Sequence, residues 1–275
     1  MGGRLFVVGT PIGNLGDFSP RGAELLSAVD FIAAEDTRVT AKLLAHIGLR
    51  KSLVSYHEHN RRESGERIIE RLLCGESCAL VTDAGMPAIS DPGEELVRAA
   101  REAGIAVESV PGPTAFATAL AICGMPCGRF CFEGFLSTNT SARREHLEEL
   151  RSERRTLVFY EAPHKLRYTL RDLLEYLGDR QIALCRELTK LHEEVVRCTL
   201  SEALLRCDEK PPRGEYVLVV AGAEKPKPES LSLEQAVALA KALLEEGESP
   251  TAAAKKAAKE SGVSRAQIYR AICGD

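Results

Sequence analysis

No stretch of about 18 consecutive apolar residues occurs in this 275-residue chain, so no helix of it is expected to cross a membrane. There is no surplus of positive charge either, because the net charge is -4 and the pI about 6.0. That excludes a protein that coats nucleic acid through bulk charge, and any RNA contact has to come from local basic patches. No C-x-x-C pair occurs among the nine cysteines, Cys74, Cys78, Cys123, Cys127, Cys131, Cys185, Cys198, Cys207 and Cys273. Their odd count and the lack of a secretory signal make them reduced, mostly buried thiols of a cytoplasmic protein. Cys123, Cys127 and Cys131 are evenly spaced, but Gly124 and Pro126 break the helix that would align them, so no metal site is expected. What is present is ordinary core-forming material, 44% hydrophobic against 28% charged, on a length that suggests two domains and a small appendage.

The first 110 residues alternate short apolar runs with helices. Leu5 to Val8, Phe31 to Ala34, Leu53 to Tyr56, Cys78 to Val81 and Val107 to Val110 read as strands. Met1 to Gly13 therefore reads as the approach to a first buried strand, not as a signal peptide. Ser19-Pro20 opens a helix, Thr37 is expected to cap the next, and Arg67 to Leu73 and Leu96 to Ala103 are amphipathic. Apolar runs of four alternating with helices indicate a parallel sheet covered on both faces. After Pro111-Gly112-Pro113 and a small-residue helix over Thr114 to Cys123, a second α/β block follows. Its strands are expected at Phe130 to Phe132, Thr156 to Tyr160, Ile182 to Cys185, Val195 to Leu200 and Tyr216 to Ala221, with helices over Ala142 to Leu150 and Lys165 to Leu177. A mixed sheet fits their irregular interleaving. Glu224 to Pro228 reads as a linker, and the remainder is helical with a turn at Gly262-Val263-Ser264. The expected domains are thus an N-terminal α/β lobe (1–115), a C-terminal α/β lobe (116–223), and a linker with a helix-turn-helix-like tail (224–275).

Three glycine- and proline-rich segments follow strands of the first block: Gly9 to Asp17, Asp83 to Gly93, and Pro111 to Ala115. Each alone is explained by a tight turn; three at the ligand edge of one sheet are harder to explain so. The first does not match G-x-G-x-x-G, and no G-x-x-x-x-G-K-[ST] loop exists. The segments also lack the lysines and arginines a polyphosphate needs, which argues against ATP or NAD. A neutral, backbone-rich cradle suits an adenosine that carries a sulfonium and an amino acid.

These segments, in this order and spacing, resemble the tetrapyrrole (corrin/porphyrin) methylase superfamily. Val8 to Leu15, Ala34-Glu35-Asp36-Thr37-Arg38, Ser55 to Asn60 and Tyr160-Glu161-Ala162-Pro163-His164 are similar to its branch that acts on small-subunit ribosomal RNA. The resemblance covers about residues 4 to 222. It implies a two-lobed α/β fold with a parallel-sheet N-terminal lobe, a mixed-sheet C-terminal lobe and a small helical C-terminal domain. It also implies a homodimer, S-adenosyl-L-methionine as cofactor, and 2'-O-ribose methylation of cytidine-1402 in 16S rRNA of the small ribosomal subunit. Cofactor contacts carry over to Pro11, Gly13, Asn14, Asp83, Ala84, Gly85, Pro87, Ile89, Ser90, Thr114 and Ala115. From the second lobe it adds Glu161, Ala162, Pro163, Leu188 and Thr189. Members that modify tetrapyrroles usually read G-x-G-P-G-D in the first segment; Gly9-Thr10-Pro11-Ile12-Gly13-Asn14 departs from that and points to RNA. A tetrapyrrole C-methyltransferase and a non-enzymatic RNA-binding assembly factor remain as alternatives.

Methyl transfer from a sulfonium to a 2'-oxygen is an in-line displacement in which positioning can supply roughly 7–11 kcal/mol. A base adds typically ~10²–10⁴-fold, because the hydroxyl is a poor nucleophile. Glu35 and Asp36, ending the second strand, and His57, ending the third, are the candidates. Asp36 also reads as a partner for Arg38 or for the helix start, and His57-Glu58-His59 as a surface turn. Arg61, Arg62, His164 and Lys165 are candidates for contact with RNA. Residues 251–275 carry Lys255, Lys256, Lys259, Arg265 and Arg270 against Glu260 and Asp275, a net of +3. That places RNA backbone contact on Arg265, Gln267 and Arg270, with a dimerisation or capping bundle as the other reading.

Overall fold

Five short apolar strands pair into an all-parallel sheet in the order β3-β2-β4-β1-β5. They are β1 (Arg4–Val8), β2 (Phe31–Ala34), β3 (Ser52–Ser55), β4 (Ser77–Val81) and β5 (Ala106–Val110). The computed structural model describes residues 3–224 and 231–274. Both faces of the sheet are covered, which is why β2 is buried at all four positions. Helices α1 (Pro20–Ala28) and α2 (Thr37–His46) lie on one face, where Leu26 and Leu44 pack on Val8, Ile32 and Val81. Helices α3 (Arg61–Leu73) and α4 (Glu94–Glu102) lie on the other, where Ile68, Leu72 and Leu96 pack on Leu5, Phe31 and Leu80.

Local chemistry sets the helix starts. The Gly22 N–H donates to Ser19 Oγ at 3.0 Å, and Pro20 fills the first turn of α1. For α2 the expected cap was Thr37; the cap is Asp36, whose carboxylate accepts from the Arg38 N–H at 2.8 Å. A carboxylate wins there because its two oxygens take both that N–H and the Arg38 guanidinium. Helix α3 begins six residues before the stretch expected from apolar periodicity, since its first turns are largely exposed and carry no apolar signal.

The chain crosses to the second sheet through α5 (Ala115–Ile122). That sheet is mixed, in the order β6-β7-β10-β8-β9, with β6 (Phe130–Phe135) parallel to β7 (Thr156–Glu161). The other pairings, among β7, β8 (Gln181–Arg186), β9 (Glu194–Thr199) and β10 (Tyr216–Val220), are antiparallel. The two-residue period sorts its side chains. Val158, Ala183, Val217 and Val219 meet α5 through Ala119 and Leu120. Leu157, Phe159, Leu184 and Leu218 meet α6 (Thr140–Glu149), α7 (Pro163–Leu177) and α8 (Leu200–Glu209) through Leu147, Leu170 and Ala203. Helix α8 was not expected. The apolar run Val195 to Leu200 reads as a strand, but a Thr199–Glu202 capping box turns the chain into a helix at its end.

Residues up to Ala223 form one compact unit and those from Glu224 a second. The second contains α9 (Leu233–Glu245), α10 (Pro250–Ser261) and α11 (Arg265–Cys273), packed through Ala236, Ala240, Ala254, Ala257 and Ile268. The Lys225–Pro228 part of the expected linker lies outside the described residues. No described helix is long and apolar enough to cross a membrane.

Candidate active site

Because β4, β1 and β5 are neighbours, the three glycine-rich segments leave the sheet side by side. Backbone bonds tie them together. The Gly9 N–H donates to Val110 O at 3.0 Å, the Thr10 N–H to Gly85 O at 2.9 Å, and the Gly85 N–H to Thr10 O at 3.2 Å. The Thr10 hydroxyl, buried, donates to Thr82 O at 3.0 Å. Gly9 and Gly112 pass so closely that a Cβ on either would lie within 3 Å of the other's backbone. These two glycines admit a neighbouring segment, not a ligand. Gly13 does the same toward the second lobe: its Cβ would meet Lys190 Cγ at 2.6 Å and Thr189 Oγ1 at 2.9 Å.

Between the two sheets lies a cavity of about 480 Å³. The first lobe contributes Ile12, Ala84, Gly85, Met86, Ile89, Asp91, Thr114 and Ala115 to its wall. The second contributes Phe135, the run Tyr160 to His164, Cys185, Leu188 and Glu215 to Val217. Among the described residues no lysine or arginine lines it, whereas Asp91, Glu161 and Glu215 do.

The carboxylates differ in how they are held. Glu161 is buried, and its two oxygens accept from the Ala162 N–H at 2.8 Å and from the Thr169 hydroxyl, which anchors the start of α7. Asp91 has no such partner among the described residues. Burial pushes its carboxyl up to about 7, with the charges of Glu35 and Asp83 adding to the effect. Glu35 accepts from the Thr82 hydroxyl and, at 3.3 Å, from the Asp83 N–H. Asp83 accepts from the Asp36 N–H at 3.0 Å; burial first, and then Glu35, raises its carboxyl above the usual range. Asp36 goes the other way, down to about 2, because Arg38 bonds it through guanidinium and backbone.

Strain concentrates around the same wall. Ala88 and Ser90 hold left-handed φ angles of 67° and 64°, next to Gly93 at 149°. Thr189, a β-branched residue against Gly13, has φ 66°, and among the described residues its buried hydroxyl oxygen has no partner. Such backbone is costly and persists where the surroundings over-determine it, as ligand sites often do.

Of the residues singled out from sequence, Ala84, Gly85, Ile89, Thr114, Ala115, Glu161, Ala162, Pro163, Leu188 and His164 line this one cavity. Thr189 meets Gly13 beside it. Pro11 and Pro87 are buried behind the wall, Asn14 receives the Gly16 N–H at 3.0 Å, and the Ser90 hydroxyl lies against Gly134. Asp83, exposed and bonded to the Asp36 N–H, does not line the cavity, and neither do Glu35 and Asp36. His57 is not in the wall; its N–H donates to Asn60 Oδ1 at 2.8 Å within a turn, and its ring stands edge-on to His59. Arg61 and Arg62 start α3 and pair with Glu95 and Glu66, while Lys165, half-buried, is the third residue of α7. Arg265 and Arg270 are exposed on α11, in the second unit. Ile12 and Met86 lie within the stretches Pro11 to Asn14 and Asp83 to Pro87 that the resemblance marked, whereas Asp91, Phe135, Tyr160, Cys185, Glu215, Tyr216 and Val217 were not singled out as site residues. Asp91 and Tyr160 stood inside quoted motifs and so had a signal, whereas Phe135 and Glu215 to Val217 had none.

Comparison with known proteins follows the same outline. Residues 4–204 match the family model Tetrapyrrole (Corrin/Porphyrin) Methylases. The ribosomal RNA small subunit methyltransferase I of Synechocystis sp. is 46% identical over 269 residues, 98% of this chain and 96% of that protein. The protein of that name from Thermotoga maritima is 46% identical over 222 residues, all of its length but 81% of this chain. Among solved structures, uroporphyrin-III C-methyl transferase from Thermus thermophilus, complexed with S-adenyl homocysteine, superposes with a TM-score of 0.57 at 20% identity. That match covers 78% of this chain and 96% of the other and concerns the fold. With most of its length matched and full-length relatives near half identity, the chain belongs to the tetrapyrrole (corrin/porphyrin) methylase family.

Proposed function

We propose that this chain transfers the methyl group of S-adenosyl-L-methionine to the ribose 2'-oxygen of a cytidine in 16S rRNA of the small ribosomal subunit. On this reading it works in the cytoplasm as a homodimer. The observation that carries the proposal is the cavity between the sheets: roomy enough for a nucleoside with an amino-acid tail, walled by backbone and apolar side chains, and acidic. A polyphosphate would find no cation there, whereas a sulfonium is favoured by carboxylates within a few ångströms. The glycine edge at Gly85 offers backbone contacts to the same ligand. Ala84, Gly85, Thr114 and Ala115 would hold it from the first lobe, and Glu161 to Pro163 with Leu188 and Thr189 from the second.

When bound, the cofactor supplies an electrophilic methyl carbon on a positively charged sulfur. The two lobes hold donor and acceptor in line, where most of the rate enhancement of such a displacement arises. Ile12, Met86 and Tyr160 would exclude water from the reacting atoms. Phe135 lines the cavity while 57% exposed, with its ring 5.5 Å from Tyr160, and is placed to stack an unpaired base. His164 and Lys165 at the head of α7 would meet the adjoining phosphates, and Arg265 and Arg270 would add backbone contacts from the tail. A Thermotoga relative of the same name, matched over its whole length by 81% of this chain, supports assigning the chemistry to less than the full chain. The acidic wall argues against a tetrapyrrole acceptor, whose own carboxylates would meet Asp91 and Glu215 with no cation to pair them.

The decisive assay offers labelled donor to small-subunit RNA and, separately, to a uroporphyrinogen-type acceptor. Label in the RNA, mapped to one 2'-O-methylated cytidine that is unmodified in a deletion strain, is the expected result. Label only in the tetrapyrrole would overturn it. Light scattering on purified protein checks the dimer.

A further inference from the structure

Helix α7 turns one face outward, and that face starts at the mouth of the cavity. Leu166, Leu170, Leu173 and Leu177 are buried in the second lobe's core. That leaves His164, Tyr168 and Arg171 exposed together, at spacings of four and three residues. His164 belongs to the cavity wall, and Tyr168 follows about 6 Å along the helix axis. Tyr168 is 61% exposed. Arg171 is exposed too, and among the described residues no carboxylate pairs with it. The nearest acid of the stripe, Asp172, is already taken, because Arg143 Nε donates to it at 2.6 Å in a largely buried pair. Arg143 Nη1 also donates to Ser137 O at 3.2 Å, so one guanidinium ties α7 to the segment just beyond Phe135. Tyr168 stands one turn from Asp172, and this clamp holds it in place relative to Phe135, the exposed ring of the cavity wall. Toward α8 the charges are spent, with Arg167 on Asp208. Glu175 lies a further turn from the cavity.

On the reading of the cavity as a site of RNA methylation, on which this rests, we infer that the outer face of α7 is the track for single-stranded RNA beside the target nucleotide. One base stacks on Tyr168, and the phosphate next to it is held by Arg171. The base at Phe135 and the base at Tyr168 are then two unpaired nucleotides of one strand, which passes His164 between them. The chemistry divides accordingly. The cavity is acidic and, among the described residues, free of lysine and arginine, which suits a sulfonium and repels phosphate. The helix face outside it offers a ring and an unspent guanidinium, which suit a polyanion with flat bases. An exposed tyrosine accepts any base, because every base presents a π-face, and a ring braced on a helix has little freedom to lose. A protein partner would leave the guanidinium to find a single carboxylate, whereas a nucleic-acid strand carries an anion at every step. Stacking also requires that the flanking nucleotide be unpaired, so a duplex leaves Tyr168 without a base.

The test uses the full chain and a fluorescently labelled single-stranded RNA carrying the small-subunit sequence around the target cytidine. Anisotropy measures its affinity at several salt concentrations, and methylation of the same RNA gives KM and kcat. Tyr168→Ala is expected to weaken binding and raise KM by about tenfold at unchanged kcat, while Tyr168→Phe behaves as wild type. Arg171→Ala is expected to weaken binding and to lower the slope of log affinity against log salt by about 0.7, the signature of one phosphate contact on a single strand. Tyr168→Ala leaves that slope unchanged. Calorimetric affinity for S-adenosylmethionine stays as in wild type in every variant. A complementary strand annealed over the flanking nucleotides is expected to abolish the difference between Tyr168→Ala and wild type. Wild-type affinity and KM in both alanine variants overturn the track, and methylation of the RNA by wild type then leaves the functional reading standing. Variants that bind free RNA normally but fail on the assembled subunit assign the face to a ribosomal protein, which overturns the track as well. A wild type that neither binds nor methylates the RNA sinks the functional reading, and the track with it.

Discussion

Gly9 and Gly112 touch backbone to backbone, such that a Cβ on Gly9 would lie 2.6 Å from the Cα of Gly112. The contact locks the segment after β1 to the segment after β5, and both border the cavity through Ile12 and Thr114. Gly112→Ala forces the two apart. We expect a loss of about 1–3 kcal/mol in urea unfolding, typical of overpacking, together with weaker cofactor binding by calorimetry. Gly128→Ala, where an added Cβ meets nothing within 4 Å, serves as control and leaves both unchanged.

Asp91 makes stability depend on pH. Its carboxyl titrates at about 7 in the fold against 3.8 for the free group. Between those values the folded chain binds a proton that the unfolded chain does not, so stability falls as pH rises across that window and is flat above it. Asp91→Asn carries no charge at any pH. Its melting temperature is expected to exceed that of wild type near pH 8, the gap closing toward pH 4. A constant gap would show that burial does not hold the Asp91 proton.

Phe135 gives the RNA side of the site a handle. Stacking on an aromatic ring is worth about 1–3 kcal/mol per base. Phe135→Ala is therefore expected to raise KM for RNA by about tenfold, at unchanged affinity for the cofactor, and Phe135→Trp to restore it. An unchanged KM would place the target base elsewhere.

Removal of residues 224–275 takes away a unit with its own core. The shortened chain should bind the cofactor as before, bind RNA more weakly, and show a shallower dependence of RNA affinity on salt as phosphate contacts are lost. Filter binding at several salt concentrations measures this. Unaltered affinity together with a monomeric product would make the tail a dimerisation cap.

Much of the fold was legible along the chain. Runs such as Leu5 to Val8 and Phe31 to Ala34 declare buried parallel strands because every residue in them faces a covered side. Ser19-Pro20 declares a helix start because its hydrogen bonds are local. The start of α3 was hidden, since exposed turns carry no apolar period, and α8 was masked by the apolar run before its capping box.

The site divides along the same line. The order of the amino acids alone set the three glycine-rich segments, their place at strand ends and the scarcity of cations among them, because these follow from residue type and from short-range turn chemistry. The contacts of Asp36 with Arg38 and with the helix start were legible as well, because they reach only two residues along the chain. Only folding brought Phe135 and Glu215 to Val217, distant in the chain, to the wall that Asp91 faces. Burial, unpaired charge and opposition across a cavity depend on what the rest of the chain places nearby, and no local pattern of residues contains that information.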